Sequence, residues 1–456
     1  MSEHEFDVVV IGMGPGGEYV AEELARAGVP VAAVEERLVG GECPYFGCVP
    51  SKMMIRAGNL LAEGRRIPGM AGASVVSPSW EPVARRIRDE ATDDWDDKAA
   101  ADRFTGLGGT LFRGHGVIAG PGQVTVGADQ LRARQGIVIN TGTAPRVPPI
   151  PGLAGTPFWT NRDIIESMTV PHSLLVLGGG SIGVELAQVF ARFGSQVTVV
   201  EASGQLLPMD EPEAGDLLAQ VFAAEGITVR TATRAEQVSH DGTRFTVTLG
   251  DGSTAESDEL LVATGRVTDL AGLGVASVGL DDQAHTITVD EHLVAAPGVW
   301  AVGDIAGRGA FTHMSMYQAG IVLAQLLGKP YHPAEYHAVP RVSFTDPEIG
   351  SVGRTEGQAR KDLGDSRVRV ATTQIPDSAR GWIHKAGNQG FIKLIADTQR
   401  GVLVGASSAG PTGGEVLSML TLAVHAAIPL TRLNEMIYAY PTFHRAVPDA
   451  LKQLLP

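Results

Sequence analysis

The stretch GGECPYFGCVPSK, from Gly40 to Lys52, puts two thiols, Cys43 and Cys48, within five residues of each other and an ammonium group, Lys52, just beyond them. Two readings of that spacing stand side by side. Free cysteines are among the most buried side chains, so the pair could be inert core; or it could be a working redox disulfide. In a regular helix residues five apart lie about 9 Å from each other at Cα, beyond the limit of about 7 Å for a bridge. A bridge here therefore needs a distorted turn, which Pro44, Gly47 and Pro50 can supply. A cation such as Lys52 nearby stabilises a thiolate. These are the only two cysteines in 456 residues, so there is neither a framework of structural disulfides nor a four-thiolate metal site.

Two longer segments show what must surround the thiols. FDVVVIGMGPGGEYVAEELARAGVPVAAVEE has an apolar run from Phe6 to Ile11, glycines at Gly12, Gly14 and Gly17, a helical stretch to Ala27 and a second strand ending at Glu35. SLLVLGGGSIGVELAQVFARFGSQVTVVE repeats the pattern with Gly178, Gly180, Gly183 and Glu201. Each reads as a βαβ unit whose glycines permit a tight turn, close approach to a pyrophosphate and close helix packing. In each, the acid follows the third glycine by 18 residues, where a carboxylate suits a ribose 2′-hydroxyl. Two dinucleotide sites in one chain point to hydride transfer from nicotinamide to flavin. Glu201 repels a 2′-phosphate, and the following ASGQLLPMD has no arginine to receive one, so NADH is expected over NADPH.

The net charge of −15 and the absence of a long basic run argue against nucleic-acid binding. The first residues, MSEHEFDVVVIG, lack the pattern of a secretory signal, and no apolar run approaches the ~18 residues of a membrane span. A soluble cytoplasmic protein without a metal site is expected. The charged stretch from Trp80 to Leu107 reads as a solvated helix pair. The proline-rich TGTAPRVPPIPG, from Thr141 to Gly152, reads as a crossing between domains. A third glycine turn, VWAVGDIAG, places Gly303 and Asp304 at a strand exit, and from about Glu335 the pattern changes to short alternating strands and a late helical region.

With these motifs in order, the chain resembles the class I pyridine nucleotide-disulfide oxidoreductases, the family of dihydrolipoamide dehydrogenase, glutathione reductase and mercuric reductase. The resemblance rests on GGECPYFGCVPSK, the first glycine turn, NTGTAP at Thr141 and Gly142, GGGSIGVELA, ATGR with Gly265, AVGD with Asp304, and VSFTDPEIGSVG. It implies an α/β fold of two Rossmann-like dinucleotide-binding domains with an α+β C-terminal dimerisation domain. The implied boundaries are 1–149 and 271–334 for FAD, 150–270 for the nicotinamide nucleotide and 335–456 for the dimer interface. It implies FAD on Gly12, Gly14, Gly17 and Glu35 with Asp304 reaching the ribityl chain. Cys48 would be the charge-transfer thiol, Cys43 the interchange thiol, and Lys52 and Glu185 an ion pair near the flavin.

The family pattern breaks at YPTFHR. Disulfide reductases of this kind carry His-Pro-Thr-x-x-Glu there, supplied by the partner of a homodimer; here Tyr440 stands for the histidine and Arg445 for the glutamate. Thiol exchange needs a group that moves a proton. Histidine does so near pH 7, whereas an ordinary tyrosine, at about 10, does not. Tyr440 reads as a hydrogen-bond donor to substrate, and His444, four residues beyond the usual position, as a surface or capping residue. Tyr45 and Phe46, between the cysteines, offer either a stacking surface or core packing. The chain has no further cysteine pair of the kind by which mercuric reductases hand over the metal. The sequence thus leads to an NADH- and FAD-dependent oxidoreductase acting through Cys43 and Cys48 on a quinone, another electrophile or an unusual disulfide. Its rivals are a dihydrolipoamide or low-molecular-weight disulfide reductase with a relocated acid, and a slow flavin-binding redox sensor.

Overall fold

The structure is a computed structural model that describes residues 2–455. It divides into two compact units. The first holds the chain up to Pro50 together with Arg85–Arg146 and Gly265–Tyr336; the second holds Ser51–Ala84, Val147–Thr264 and the chain from His337 onward. Among the described residues no helix is long and apolar enough to cross a membrane.

The first unit is built on the strand Ser2–Ile11, which pairs in parallel with Val31–Glu35 on one side and Asp129–Ile139 on the other. Helices and loops cover both faces, so Val8, Val9 and Val10 are all fully buried and the strand end reads as an unbroken apolar run. Val299–Ala301 and Thr110–Arg113 extend the sheet at its two sides. The crossover helix Pro15–Arg26 turns Val20, Ala21, Leu24 and Ala25 to the core, the spacing of one helical face.

The second unit contains a parallel sheet in the order Thr228–Arg230, Gln196–Val200, Ser173–Leu177, Glu259–Val262, and a three-stranded antiparallel sheet over Ala235–His240, Phe245–Leu249 and Thr254–Ser257. Its last part is a five-stranded antiparallel sheet, Pro340–Ser343 through Val368–Gln374, covered by the helices Gly413–His425 and Val447–Leu454. Segment 51–84, which reads from sequence as part of the first region, packs in this unit: Trp80 lies against Phe190 and Phe193 at centroid distances of 5.0 and 4.9 Å.

The charged stretch is not a simple solvated helix pair. A short helix, Glu81–Arg86, runs into a π-helical turn, Ile87–Ala91, and Asp93, Asp94 and Trp95 then take left-handed backbone conformations before the helix Lys98–Gly106. Asp97 is buried, with both carboxylate oxygens on Arg113 at 2.6 and 2.8 Å. Burial alone would push the Asp97 carboxyl up, but the hydrogen bonds from Arg113 and from the Val39 N–H more than offset it and hold it below the usual range.

Lys393 joins the nucleotide-binding part of the second unit to the five-stranded sheet. Its ammonium, with a side chain only 2% exposed, lies 2.9, 2.7 and 2.9 Å from Glu211, Glu213 and Glu356. Burial would depress it, yet three carboxylates keep it above its ordinary value. Lys393→Met leaves Glu211 buried without its cation and is expected to cost about 3–5 kcal/mol. Urea unfolding of the flavin-loaded protein measures this, and an unchanged midpoint would refute it.

Candidate active site

Both glycine turns are made the same way. The helices Pro15–Arg26 and Ser181–Arg192 start on Gly14 and Gly180, and neither has a side-chain cap. In the second helix the first N–H groups are thus available to a phosphate, which the helix dipole also favours; in the first, Pro15 carries none and Asn140 takes that of Gly17, which leaves the Gly16 N–H. A Cβ on Gly17 would lie 2.0 Å from the Gly12 carbonyl, and one on Gly183 would lie 2.0 Å from that of Gly178, so each helix can approach its strand only through glycine. Glu35 accepts the N–H groups of Met13 and Arg37, both at 2.7 Å. Glu201 accepts those of Gly179 and Ser203, both at 2.6 Å. Burial pushes the Glu35 carboxyl up despite these bonds. These turns fit dinucleotides.

Asn140, the first residue of NTGTAP, is buried and was not singled out from sequence. Its Oδ1 accepts the Gly17 N–H at 2.7 Å and its Nδ2 donates to the Val302 carbonyl at 2.9 Å, so it links the first glycine turn to the third. Beyond it, Thr141 is exposed, Gly142 has φ 66°, and Thr143 donates to Asp304 at 2.9 Å. Arg266, next to Gly265, donates to the Thr143 hydroxyl and carbonyl, each at 2.6 Å. Gly303 donates its N–H to the buried Gln318 at 2.7 Å. Asp304 is therefore oriented by a threonine and an arginine that carry no signal of their own in the sequence beyond the quoted motifs.

The cysteine loop docks on the first turn. Gly40 donates its N–H to the Met13 carbonyl at 2.7 Å, and a Cβ on Gly41 would lie 2.8 Å from the Gly14 Cα. Cys43 sits in the one-turn helix Glu42–Tyr45, and Cys48 opens the helix Cys48–Arg66. The break at Phe46 and Gly47 is the distortion that the spacing requires. A Cβ on Gly47 would come within 3.0 Å of the Glu42 carbonyl, so glycine lets the two helices fold onto each other. Both cysteines are thiols, Cys43 half-buried and Cys48 exposed in the chain.

Cys48 Sγ lies 3.3 Å from the Thr312 hydroxyl, at the start of the 15-residue helix Thr312–Leu326. Helix starts favour negative charge, and Cys48 is at one helix start and beside another. The Cys43 thiol is pushed well above the ordinary cysteine range, first by the hydrogen bond it shares with Cys48 and then by burial. Thr312 is the contact that sequence reasoning missed. Burial pushes the Tyr45 phenol up to about 12, which removes it as an acid or base near neutrality.

Lys52 lies one helical turn past Cys48. In the second unit its Nζ donates to Glu185 at 2.9 Å, and the other oxygen of Glu185 accepts the Phe344 N–H at 2.8 Å. The same ammonium lies 4.6 Å from the centre of the Phe344 ring. Glu185 is buried, and each of its two oxygens has a partner, a lysine and a backbone N–H, as a buried carboxylate requires.

Tyr440 and His444 belong to the second unit and the cysteines to the first. Tyr440 is 73% exposed, beside Ile437 at 96%. His444 is half-buried, in the short helical turn Phe443–Ala446, with its Nε2 3.2 Å from the Thr442 hydroxyl. That hydroxyl donates in turn to the Ala439 carbonyl, so His444 is tied into its own turn.

The raised Cys43 thiol sets a test. In protein reduced anaerobically, labelling of Cys43 by iodoacetamide should still be rising above about pH 10, where an ordinary thiol with its midpoint near 8.5 has levelled off. Mass spectrometry of the labelled peptide measures it, and a plateau by that pH would contradict the assignment.

Residues 6–319 match the family profile described as pyridine nucleotide-disulphide oxidoreductase, and residues 339–451 match its dimerisation domain. The chain is 32% identical to dihydrolipoyl dehydrogenase from Chlorobaculum tepidum, covering 98% of this chain and 96% of that one. It is 30% identical to mercuric reductase from Acidithiobacillus ferrooxidans, covering 96% and 80%. Among solved structures it is similar to the Cu(II) complex of the HOCl-induced flavoprotein disulfide reductase RclA from Escherichia coli, with a TM-score of 0.86 and 26% identity over 98% of this chain and 99% of that one. LpdA from Mycobacterium tuberculosis gives a TM-score of 0.85 and 25% identity over the whole of both chains. The fold, the two nucleotide turns and these likenesses agree: the chain belongs to the pyridine nucleotide-disulphide oxidoreductases, a family of FAD-dependent enzymes.

Proposed function

We propose that this protein passes two electrons from NADH through FAD to a Cys43–Cys48 disulfide and on to an acceptor that needs little acid-base help. The observation that carries the reading is the docking of the cysteine loop on the first glycine turn, through Gly40 on Met13 and Gly41 against Gly14. When bound, FAD takes hydride from nicotinamide and delivers two electrons to the disulfide. One NADH and one proton are consumed, the S–S bond breaks, and two thiols and NAD+ result. Gly12, Gly14, Gly17 and Glu35 hold the FAD, with Thr141, Gly142, Gly303 and Asp304 completing its site. Gly178, Gly180, Gly183 and Glu201 hold the NADH. Lys52, fixed by Glu185, supplies an ammonium charge one helical turn past Cys48.

Cys43 then meets the acceptor, while Cys48, beside Thr312, keeps the electronic contact with the flavin. The exposed Tyr440 and Ile437 belong to the face by which two copies form a homodimer, and Tyr440 donates a hydrogen bond to the acceptor across it. A tyrosine in place of histidine favours acceptors such as quinones, whose reduction does not depend on reprotonating a leaving thiolate. Metal ions also enter the panel, because relatives are named as a mercuric reductase and a Cu(II) complex.

The decisive assay is steady-state turnover with NADH against lipoamide, glutathione-type and mycothiol-type disulfides, quinones and Cu(II), at several pH values. Quinone or metal reduction well above that of every disulfide is expected. Efficient lipoamide turnover at neutral pH would instead identify a dihydrolipoamide dehydrogenase with a relocated acid, and slow turnover of everything would identify a sensor.

Two further outcomes follow from the assigned roles. Because a like-charge juxtaposition costs several kcal/mol, NADH should exceed NADPH in kcat/KM by at least about 100-fold; comparable values would overturn the role of Glu201. In anaerobic NADH titration, a long-wavelength thiolate-to-flavin absorbance should develop. Cys48→Ser should abolish it, whereas the oxidised Cys43→Ser protein should show it without any reductant. No effect of either substitution would place the thiols out of electronic contact with the flavin.

A further inference from the structure

The stretch that reads from sequence as solvated charge contains the least ordinary backbone of the first unit. After the π-helical turn Ile87–Ala91, the buried Thr92 returns its hydroxyl to the Ile87 carbonyl at 3.0 Å, and Asp94 donates its N–H to the Arg88 carbonyl at 2.7 Å. Asp93, Asp94 and Trp95 follow with φ of 49°, 55° and 57°. Non-glycine residues seldom take this conformation, and a tryptophan as the third in a row does so only where its surroundings over-determine it.

Those surroundings are the cysteine loop. The Trp95 indole stacks on Phe46, with ring centroids 6.5 Å apart and planes at 23°. Its Nε1 donates to the Tyr45 carbonyl at 3.3 Å, an acceptor left over at the end of the one-turn helix that carries Cys43. Two residues on, Asp97 accepts the Val39 N–H at 2.6 Å, next to Gly40. One short segment thus grips the loop where it begins and between its two cysteines. Phe46 and Gly47 are the break between the two cysteine helices, the place where the chain must flex for the sulfurs to move between contact and covalent distance.

We propose that Trp95 is a positioning residue for the thiol pair: by stacking on Phe46 and bonding the Tyr45 carbonyl, it restrains the inter-cysteine turn and so sets both the accessibility of Cys43 and the balance between dithiol and disulfide. The second part rests on the reading that Cys43 and Cys48 cycle between those two states. Their interconversion is a two-electron exchange with a thiol-disulfide couple such as glutathione, in which one S–S bond forms in the protein as one breaks in the buffer. Loosening the turn lets the half-buried Cys43 open to solvent more often.

The test uses the flavin-loaded protein and three chains: the parent, Trp95→Ala and Trp95→Phe. Iodoacetamide labelling of Cys43 in the reduced protein is followed by mass spectrometry, the dithiol-to-disulfide ratio is measured in glutathione buffers, and flavin content is the control for folding. With flavin retained, Trp95→Ala should raise the labelling rate and shift the ratio by about fivefold, the factor one aromatic pair supplies. Trp95→Phe keeps the ring but loses the donor, so it should fall between the two. Labelling and ratio both within about twofold of the parent, in Trp95→Ala or, if that chain loses flavin, in Trp95→Phe, would overturn the proposal. A parent protein that forms no disulfide in oxidised buffer would sink the redox reading by itself, while the labelling rate would still decide the restraint on the turn.

Discussion

The carboxamide of Asn140 holds together three stretches of chain on which the rest of the first unit depends. Its Oδ1 takes the Gly17 N–H, its Nδ2 reaches the Val302 carbonyl and, at 3.1 Å, the Ser315 hydroxyl, and its own N–H donates to the Ile11 carbonyl. All of this is buried, where each polar atom left without a partner costs about 1–3 kcal/mol. The consequence is geometric. The strand end at Ile11, the glycine helix, the Gly303 turn and the helix that starts at Thr312 cannot shift independently, and Thr312 is what touches Cys48. Gln318, fully buried on that same helix, reinforces the link through the Gly303 N–H.

On this frame the cysteine loop is held by backbone contacts at its start and by an aromatic grip in its middle. Glycines at 41 and 47 allow backbone to lie against backbone, and Gly40 leaves room for the Pro44 ring. That closeness bears on the chemistry of the thiols: a shared hydrogen bond and burial push the Cys43 thiol up, while helix starts gather around Cys48. The two sulfurs are the same functional group, and their environments give them different work. In the second unit the same economy appears at Glu185, whose buried carboxylate is met by Lys52 and a backbone N–H.

Much of the candidate site was legible because its constraints are local. A glycine turn between a strand and a helix, and an acid 18 residues on, express distances along one βαβ unit, and they appear in the structure as Glu35 on Met13 and Glu201 on Gly179. The need for a break between Cys43 and Cys48 was likewise readable from their spacing, and it falls at Phe46 and Gly47. The stretch from Trp80 to Leu107 does carry two helices with mostly exposed charges, but charge density hid an exception, Asp97, which is buried by a partner, Arg113, that lies outside the stretch. Nor does any residue pattern announce a tryptophan in left-handed conformation.

The sequence by itself determined the family, the two nucleotide turns and the pair of candidate thiols, since each is written in residue types at short, fixed separations. Only the tertiary structure decided that Thr312 touches Cys48, that Asn140 ties the Thr312 helix to the first glycine turn, and that Trp95 grips the turn between the cysteines. Those depend on side chains brought together from positions up to 264 residues apart, such as Cys48 and Thr312. Burial and hydrogen bonding, which set a thiol's charge, exist only once those distant segments have packed.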